Sequence, residues 1–230
     1  MVTTDNGLFE GAGIILAGGH ASRMDGADKG RIIVDSRPLL DRNVEILLRL
    51  FTQVIIVTNA KRPYSCNHRR VCVAVDEQPD RGPLMGLYSG LKAAKYETNF
   101  VMACDMPHIC EPLVKLMWQR AAGSDSDVVV PLVNGFREPL LAIYKRSVLG
   151  AIKKSIDSGI YKMVWFYDRV RVDHITERQL TDMDPEMLSL VNINTPHDLG
   201  IARGLFEESC QAVMQSPIGG GEYQGNRYVL

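Results

Sequence analysis

The feature that most constrains the fold is a regular alternation of short apolar runs with segments of helical periodicity. The apolar runs have the length and composition of buried strands, and they cover residues 12–16, 54–58, 71–75, 100–104, 128–132, 140–144, 170–174 and 191–193. A chain that alternates strand and helix builds a mostly parallel sheet with helices packed on both faces. The sequence therefore predicts an α/β fold, a three-layer αβα sandwich.

Helical stripes lie between most of these runs, at residues 40–51, 84–94, 113–117, 148–156 and 199–206. Glu111-Pro112 suits the first turn of the third helix, and Thr195-Pro196 suits the N-cap and N1 positions of the fifth. Pro139 stands at the start of an apolar run, where proline is tolerated if the strand is antiparallel or at an edge. We expect one antiparallel strand in the sheet.

Composition excludes several classes of protein. A chain of 230 residues accommodates one sizeable α/β domain. Its net charge of −1 argues against a nucleic-acid-binding surface, and no apolar run is long enough to span a membrane. The five cysteines include no Cys-x-x-Cys pair, which is typical of a reduced, cytoplasmic protein without a structural zinc site.

The chain ends differ from its middle. Residues 1–10 contain acidic residues and no basic stretch, and we interpret them as a short arm. Residues 210–230 are glycine-rich and aperiodic, which is typical of a flexible C-terminal tail. Residues 11–209 between them are expected to form a single domain.

A glycine turn follows the first apolar run, in Leu16-Ala17-Gly18-Gly19. Two glycines allow positive φ angles and let main-chain N–H groups point at an anion. Arg23 and Lys29 then add positive charge. We interpret this segment as a grip for a triphosphate, although a plain tight turn followed by surface cations would look similar. The spacing matches neither the P-loop nor the dinucleotide-binding pattern.

A second candidate segment follows the third run. Asp76 precedes a loop in which Gly82, Leu84 and Gly86 lead into a helix. A helix N-terminus offers backbone donors and a positive dipole end, and glycine spacing lets a flat base approach the main chain. A connecting loop without a ligand is the alternative.

Asp105 is the candidate metal ligand. It follows an apolar strand, where an uncompensated carboxylate would be costly to bury. Mg²⁺ would offset that cost, because it binds one or two carboxylates together with phosphate oxygens. A helix or turn cap is the alternative for the residue alone, but the basic glycine turn favours the metal. Cys104 before it is expected to be a small buried residue and not a nucleophile.

Three polar residues are candidates for binding a second substrate. Asn192 and Asn194 alternate along the last predicted strand, so both would face one side. Arg137 could pair with an anionic substrate or be an ordinary solvated arginine. The histidines show no metal-ligand spacing, and we predict no role for them.

Taken in order, these segments resemble the signature of the molybdenum cofactor guanylyltransferases, a family of nucleotidyltransferases. The matching residues are Leu16-Ala17-Gly18-Gly19, Arg23-Met24, Asp28-Lys29, Gly82-Pro83-Leu84-Met85-Gly86, Cys104-Asp105-Met106-Pro107 and Asn192-Ile193-Asn194-Thr195-Pro196. The resemblance implies a Rossmann-like nucleotidyltransferase fold. It also implies transfer of GMP from GTP to molybdenum-molybdopterin, which gives the guanine dinucleotide cofactor and pyrophosphate.

The resemblance also implies roles for individual residues. Arg23, Lys29 and Asp105 would be catalytic, and Asp105 would hold Mg²⁺. The acceptor would be bound by Arg137, Asn192 and Asn194. The nucleotide would be contacted by Leu16, Ala17, Gly18, Gly19, Lys29, Asn59, Asp76, Gly82, Leu84, Gly86 and Asp105. Molybdopterin would reach the enzyme free or from a delivering protein.

The sequence is also compatible with other functions. Gly18 favours the guanylyl branch, because the cytidylyl branch usually has alanine there; a cytidylyltransferase or a sugar- or polyol-phosphate nucleotidyltransferase is the alternative. Asp25 stands where the family usually has glycine after Arg-Met, and an acid beside phosphates should weaken their binding. A non-catalytic nucleotide-binding adaptor is therefore a further alternative.

Overall fold

The structure is a computed structural model that describes residues 3–4, 6–18, 32–34, 36–59, 64, 66–78, 81–195 and 198–200. Strands and helices alternate through these residues, as the sequence predicts. The strands are β1 (Phe9–Leu16), β2 (Ile33–Val34), β3 (Arg37–Pro38), β4 (Phe51–Thr58), β5 (Val71–Val75), β6 (Thr98–Ala103), β7 (Val128–Val133), β8 (Phe136–Arg137), β9 (Leu141–Lys145) and β10 (Val172–Thr176). The α-helices are α1 (Leu39–Leu50), α2 (Pro83–Ala93), α3 (Glu111–Ala122), α4 (Leu149–Asp157) and α5 (Glu177–Met183).

One sheet of eight strands organises the described part of the chain, in the order β10-β7-β9-β6-β1-β4-β5 with β8 beside β7. β1 is parallel to β4 and β6, β4 is parallel to β5, and β7 is parallel to β10. β9 is antiparallel to both β6 and β7. The predicted mostly parallel sheet with an antiparallel strand is confirmed. That strand lies inside the sheet and not at an edge, and Pro139 precedes it.

Strand β1 lies inside the sheet, between β6 and β4, and both of its faces are apolar. Ile14 and Ile15 are both fully buried, on opposite faces. Ile15 packs in a core with α1, α3 and Leu180 of α5, whereas Ile14 packs in a second core with α2 and α4. Helices therefore cover both faces, which confirms the three-layer αβα sandwich.

The N-terminus of α2 depends on a glycine. Gly82 precedes the helix with φ 85° and ψ 178°, and Pro83 occupies the first helical turn. A side chain would be strained at that positive φ, and proline suits the first turn because its missing N–H is not needed there. The Gly-Pro pair therefore fixes where α2 begins at the edge of the sheet.

Helix α5 was not predicted, because its apolar stripe is reduced to one buried residue, Leu180. A capping box starts it. The Thr176 hydroxyl accepts from the Gln179 N–H at 3.3 Å, and the Gln179 side chain accepts from the Thr176 N–H at 3.1 Å. The Thr-x-x-Gln spacing is the sequence signal that would have predicted it.

The predicted strand at 191–193 is wrong, because these residues form no ladder. They connect a 3-10 turn, Leu188–Leu190, to the cap of the next helix. Ile193 is fully buried, which explains the apolar signal in the sequence. The Thr195 hydroxyl accepts from the Asp198 N–H at 3.2 Å, as expected of the predicted N-cap.

The chain ends fall partly outside the described residues. β1 begins at Phe9, inside the predicted arm, and the Phe9 ring stacks on Trp118 at 4.9 Å between centroids. The predicted fifth helix is described only at 198–200, and the predicted tail lies outside the described residues. Among the described residues, no helix combines the length and the apolar character that crossing a bilayer requires.

The packing of α2 on the sheet gives a stability prediction. A Cβ at Gly90 would lie 2.7 Å from Ile14 Cγ2 and 3.0 Å from Val57 Cγ2, so the helix or the strands would have to shift. We expect Gly90→Ala to lower the free energy of unfolding by about 1–3 kcal/mol, measured by urea denaturation with circular dichroism.

Gly150→Ala is the matched control, because Gly150 is also helical and a Cβ there meets no atom within 4 Å. It should leave the free energy of unfolding unchanged or raise it by up to about 1 kcal/mol. Equal effects of the two substitutions would show that close packing of α2 on the sheet is not what requires glycine at position 90.

Candidate active site

The candidate site lies where four parallel strands end. β5, β4, β1 and β6 are neighbours that run in one direction. Their carboxyl ends are followed directly by Asp76, Asn59, Ala17 and Cys104 respectively. In open α/β sheets, ligands bind in the crevice outside these ends. The sheet therefore brings the predicted nucleotide-binding segments to one edge.

Backbone hydrogen bonds extend the ladder past the strand ends. The Ala17 N–H donates to the Val57 carbonyl at 2.8 Å, and the Cys104 N–H donates to the Leu16 carbonyl at 3.1 Å. The backbone is thereby fixed up to the residue before Gly18 and the residue before Asp105.

Asn59 ties β4 to the glycine turn. It is 2% exposed, and its Nδ2 donates to the Gly18 carbonyl at 3.4 Å. Gly18 does not use the positive φ that glycine allows. A Cβ at Gly18 would lie 3.7 Å from the Asn59 nitrogen, which is an ordinary contact. Its described neighbours therefore leave room for a side chain.

The positive charges predicted for the triphosphate lie outside the described residues, as does the second glycine of the turn. These residues are Gly19, Arg23 and Lys29, together with Asp25, the departure from the family pattern. Their roles stay predictions from the sequence.

Asp76 shapes the turn that leads to α2. The residue is 8% exposed, and its N–H continues the ladder by donating to the Thr58 carbonyl at 2.8 Å. Its Oδ1 accepts from the Gln78 N–H at 3.1 Å. The next residue, Glu77, donates its N–H to the Ser89 hydroxyl of α2 at 3.3 Å. Asp76 is therefore held at the sheet edge beside the helix.

Leu84 and Gly86 face the sheet. The Leu84 side chain is fully buried in the core, so a bound base could meet only its main chain. A Cβ at Gly86 would lie 3.6 Å from Leu16 Cδ2 and 3.8 Å from Val57 Cγ1. Gly82 is exposed at the start of α2. Of the three predicted contacts in this loop, Gly82 is the one that faces solvent.

The turn that contains Asp105 is held by neighbours from two other parts of the chain. Asn43 of α1 is fully buried and donates its Nδ2 to the Cys104 carbonyl at 3.2 Å. The Ile193 N–H donates to the Asp105 carbonyl at 2.8 Å. Cys104 is 5% exposed, as expected of a small buried residue. These bonds fix the main chain of Asp105 and leave its carboxylate half-buried at the edge.

The predicted acceptor residues Asn192 and Asn194 flank this contact. The Asn192 Oδ1 is buried and has no hydrogen-bond partner within the described part of the chain. A buried amide oxygen usually has a partner, so this atom is a candidate ligand-binding group. The Asn194 N–H instead donates to the Asp198 carboxylate at 2.9 Å, which ties that residue to the helix cap.

Arg137, the third predicted acceptor residue, lines a separate pocket of about 340 Å³ formed by residues 135–137, 139 and 162–164. Its Nε donates to His174 Nε2 at 3.2 Å. Its guanidinium lies 5.8 Å from the centre of the Tyr167 ring.

Because β9 is antiparallel to both neighbours, β6 and β7 point the same way and their carboxyl ends share one edge. β6 and β7 are two strand spacings apart, or roughly 10 Å.

Burial shifts several pKa values near this pocket. Burial and the charge of Arg137 lower the pKa of His174, against a smaller opposite effect of Asp173. Burial raises the pKa of Glu138, which follows Arg137. Burial also raises the pKa of Tyr167 well above its ordinary range. His174 and the tyrosine are therefore neutral near pH 7, and Arg137 is the fixed charge among them.

Sequence reasoning missed several residues of the site. His174 was predicted to have no role, but it contacts Arg137. Lys162 and Asn43 were not singled out either. No short motif marks any of them, because each lies near partners that are distant in sequence.

Residues 13–170 match the MobA-like NTP transferase domain family. A probable molybdenum cofactor guanylyltransferase of Pelotomaculum thermopropionicum is 33% identical over 204 residues, which cover 88% of this chain and 96% of that protein. A molybdenum cofactor guanylyltransferase of Vibrio cholerae is 32% identical over 187 residues, covering 81% and 88% of the two chains.

Solved structures share the fold. The molybdopterin-guanine dinucleotide biosynthesis protein A of Archaeoglobus fulgidus superposes with a TM-score of 0.75 at 24% identity, covering 86% of this chain and 99% of that one. A 2-C-methyl-D-erythritol 4-phosphate cytidylyltransferase of Thermus thermophilus gives 0.66 at 16% identity, covering 86% and 100%. Both confirm a Rossmann-like nucleotidyltransferase fold. By its sequence match over most of its length, the chain belongs to the family of MobA-like NTP transferase domains.

Proposed function

We propose that this protein transfers GMP from GTP to molybdenum-molybdopterin, giving the guanine dinucleotide form of the cofactor and pyrophosphate. The observation that carries the proposal is the meeting of Gly18, Asn59, Asp76 and Asp105 at one sheet edge. The 33% identical relative that is named a guanylyltransferase supports the same reaction.

The nucleotide would lie across the ends of β1, β4 and β5. Gly18 would offer main-chain groups to the phosphates, and Arg23 and Lys29 would supply positive charge beyond it. The base and ribose would approach Gly82 at the start of α2 and Asp76 beside it, where side chains are small or already held by hydrogen bonds.

The donor set at Asp105 suits Mg²⁺. The metal prefers oxygen ligands and often binds through one or two carboxylates plus phosphate oxygens. Asp105 offers a carboxylate. Asn192 offers its buried Oδ1, which has no hydrogen-bond partner among the described residues, and the neighbouring Ile193 N–H donates to the Asp105 carbonyl. In the described residues there is no cluster of three or more His, Cys, Asp or Glu, consistent with a site completed by substrate phosphates. When bound, Mg²⁺ would neutralise charge on those phosphates.

The reaction requires no general base. An acceptor phosphate monoester is largely dianionic near neutral pH, because its second pKa is about 6. What the enzyme must supply is in-line positioning and charge stabilisation as pyrophosphate leaves. The main chain at Gly18 and Asp105, held by hydrogen bonds to both carbonyls, would provide the positioning, and Arg23 and Lys29 would provide the charge.

The acceptor would occupy the pocket beside β8. Arg137 and Lys162 give this pocket positive charge, and Met163 and Val164 give it apolar surface. Phe136 is 74% exposed beside them, so a flat ring could stack there. A phosphorylated pterin has both an anion and a flat ring. It would reach the cytoplasmic enzyme free or from a delivering protein.

Replacement of the proposed metal ligand tests the assignment. We expect Asp105→Asn to lower kcat/KM for GTP at least about 100-fold, because a charge-stabilising group is lost. The Asp105 carbonyl keeps its bond from Ile193, so the free energy of unfolding should change by less than about 1 kcal/mol. Pyrophosphate release over a Mg²⁺ titration and urea denaturation measure the two effects.

Asp125→Asn is the matched control, since the Asp125 side chain is 97% exposed and away from this edge. It should leave both quantities unchanged. An Asp105→Asn enzyme with wild-type turnover and an unchanged Mg²⁺ requirement would refute the metal assignment.

Substrate choice tests the activity itself. With molybdenum-molybdopterin as acceptor, pyrophosphate should be released from GTP and at least about tenfold more slowly from ATP, CTP and UTP, since the guanine edge offers a distinct set of donors and acceptors. Faster release from CTP would support a cytidylyltransferase instead. Binding of GTP without pyrophosphate release from any acceptor tried would support the non-catalytic adaptor.

A further inference from the structure

Arg137 is held in place although it is exposed. Its Nε donates to His174 Nε2 at 3.2 Å, and its guanidinium lies 5.8 Å from the centre of the Tyr167 ring. A free arginine loses about 2 kcal/mol of rotamer entropy when a ligand fixes it. Contacts that fix the side chain beforehand reduce that loss at the moment of binding.

The hydrogen bond specifies the state of His174. A guanidinium only donates, so His174 Nε2 must accept and its proton must be on Nδ1. A protonated imidazole would instead place two donors and two positive charges face to face. The charged groups that act on His174 are Arg137 of β8 and Asp173 of its own strand. Asp173 points away to the other face, where it pairs with Arg120 of α3 at 3.6 Å.

Tyr167 is itself anchored in the core. It is 3% exposed, and its hydroxyl lies 2.7 Å from that of the fully buried Tyr144. Tyr144 donates to the Pro139 carbonyl at 2.8 Å, so Tyr167 is the donor between the two hydroxyls. Pro139 and Arg137 both line the pocket. An uninterrupted series of contacts thus leads from the core to the pocket wall.

We propose that His174 and Tyr167 are positioning residues that hold Arg137 ready to bind the anionic group of the acceptor. The inference rests on the proposed function, in which this pocket receives the acceptor. Neither residue touches the reacting atoms, so their loss should raise KM for the acceptor and leave kcat and the KM for GTP unchanged.

The proposal makes acceptor binding sensitive to pH. Below about pH 6.5, the ordinary pKa of histidine, protonation of His174 starts to remove its hydrogen-bond acceptor; because the pKa of His174 is lowered, most of the effect comes further down. KM for the acceptor should therefore rise as pH falls. The acceptor phosphate titrates near pH 6 as well, so the effect needs a control that removes only the imidazole.

Variants of His174 supply that control. They are compared by steady-state kinetics with molybdenum-molybdopterin at saturating GTP, from pH 5.5 to 7.5. We expect His174→Ala to raise the acceptor KM about 5- to 20-fold at pH 7.5, in line with a lost hydrogen bond to a charged group. His174→Gln should restore a KM near that of the wild type, because its amide oxygen can accept from Arg137. It should also show a weaker rise of KM at low pH, from the phosphate alone.

A double substitution tests whether His174 acts through Arg137. Arg137→Ala should raise the acceptor KM at least as much as His174→Ala, and the double variant should be no worse than Arg137→Ala alone. Multiplicative effects in the double variant would overturn the proposal. So would a failure of His174→Gln to restore KM, provided that thermal denaturation shows each variant folded.

An NMR titration of the His174 ring tests the contact without any acceptor. In Arg137→Ala, loss of the neighbouring charge should raise the pKa of His174 towards its ordinary value; an unchanged titration would overturn the proposal. The kinetic results distinguish a failure of the proposed acceptor pocket from a failure of the proposed positioning role. If Arg137→Ala leaves the acceptor KM unchanged, the acceptor pocket of the proposed function fails. If Arg137→Ala raises it and His174→Ala does not, only the positioning role fails.

Discussion

The structure depends on one parallel hydrogen-bond ladder, β5-β4-β1-β6. The evenly spaced backbone hydrogen bonds of a parallel ladder determine which residues of neighbouring strands are aligned. Leu16 is aligned with Val57 on one side and with Ala103 on the other. The residues that follow these positions, Ala17, Thr58 and Cys104, are therefore held close to one another. Gly18 and Asp105 are neighbours because β1 and β6 are paired and end side by side.

The antiparallel strand β9 extends this edge to a second site. A parallel strand in its place would need a long crossover connection before it. Instead, β9 follows β8 within a few residues and pairs with both β6 and β7. This insertion keeps β6 and β7 parallel to each other while it spaces their ends apart. Asp105, which follows β6, and the pocket with Arg137, which follows β7, therefore lie at the same edge of the sheet.

The sequence predicts the parts of this arrangement that are local. Runs such as 12–16 are apolar on both faces, which is typical of a strand that is buried on both faces of a sheet. Segment 191–193 shows the limit of the same signal, because Ile193 is buried in a small cluster and not in a ladder. Helix α5 was missed for the opposite reason. It has a capping box at its N-terminus but only one buried apolar residue, so hydrophobic periodicity does not detect it.

For the site residues, too, local features could be predicted from the sequence and contacts between distant segments could not. The position of Asp105 just after a strand was predictable because it follows an apolar run, whereas its metal-binding role stays a prediction. The contact of His174 with Arg137 was not predictable, because Arg137 is brought to it by pairing of β7 with both β8 and β10. A contact that depends on strand order cannot be derived from a chain whose strand order is still unknown.

A transfer between two phosphates is limited by geometry more than by proton chemistry, and this explains how the polar contacts are distributed. The described groups that bond to the main chain at the edge, such as Asn43 and Asn59, hold loops in place. Those around Arg137 hold a charge in place. Both kinds of contact reduce the disorder that substrates would otherwise have to remove on binding. An enzyme that needs no general base can use buried polar groups for positioning, and in this fold Asn43, Asn59 and Asp76 are buried polar residues at the edge proposed for the substrates.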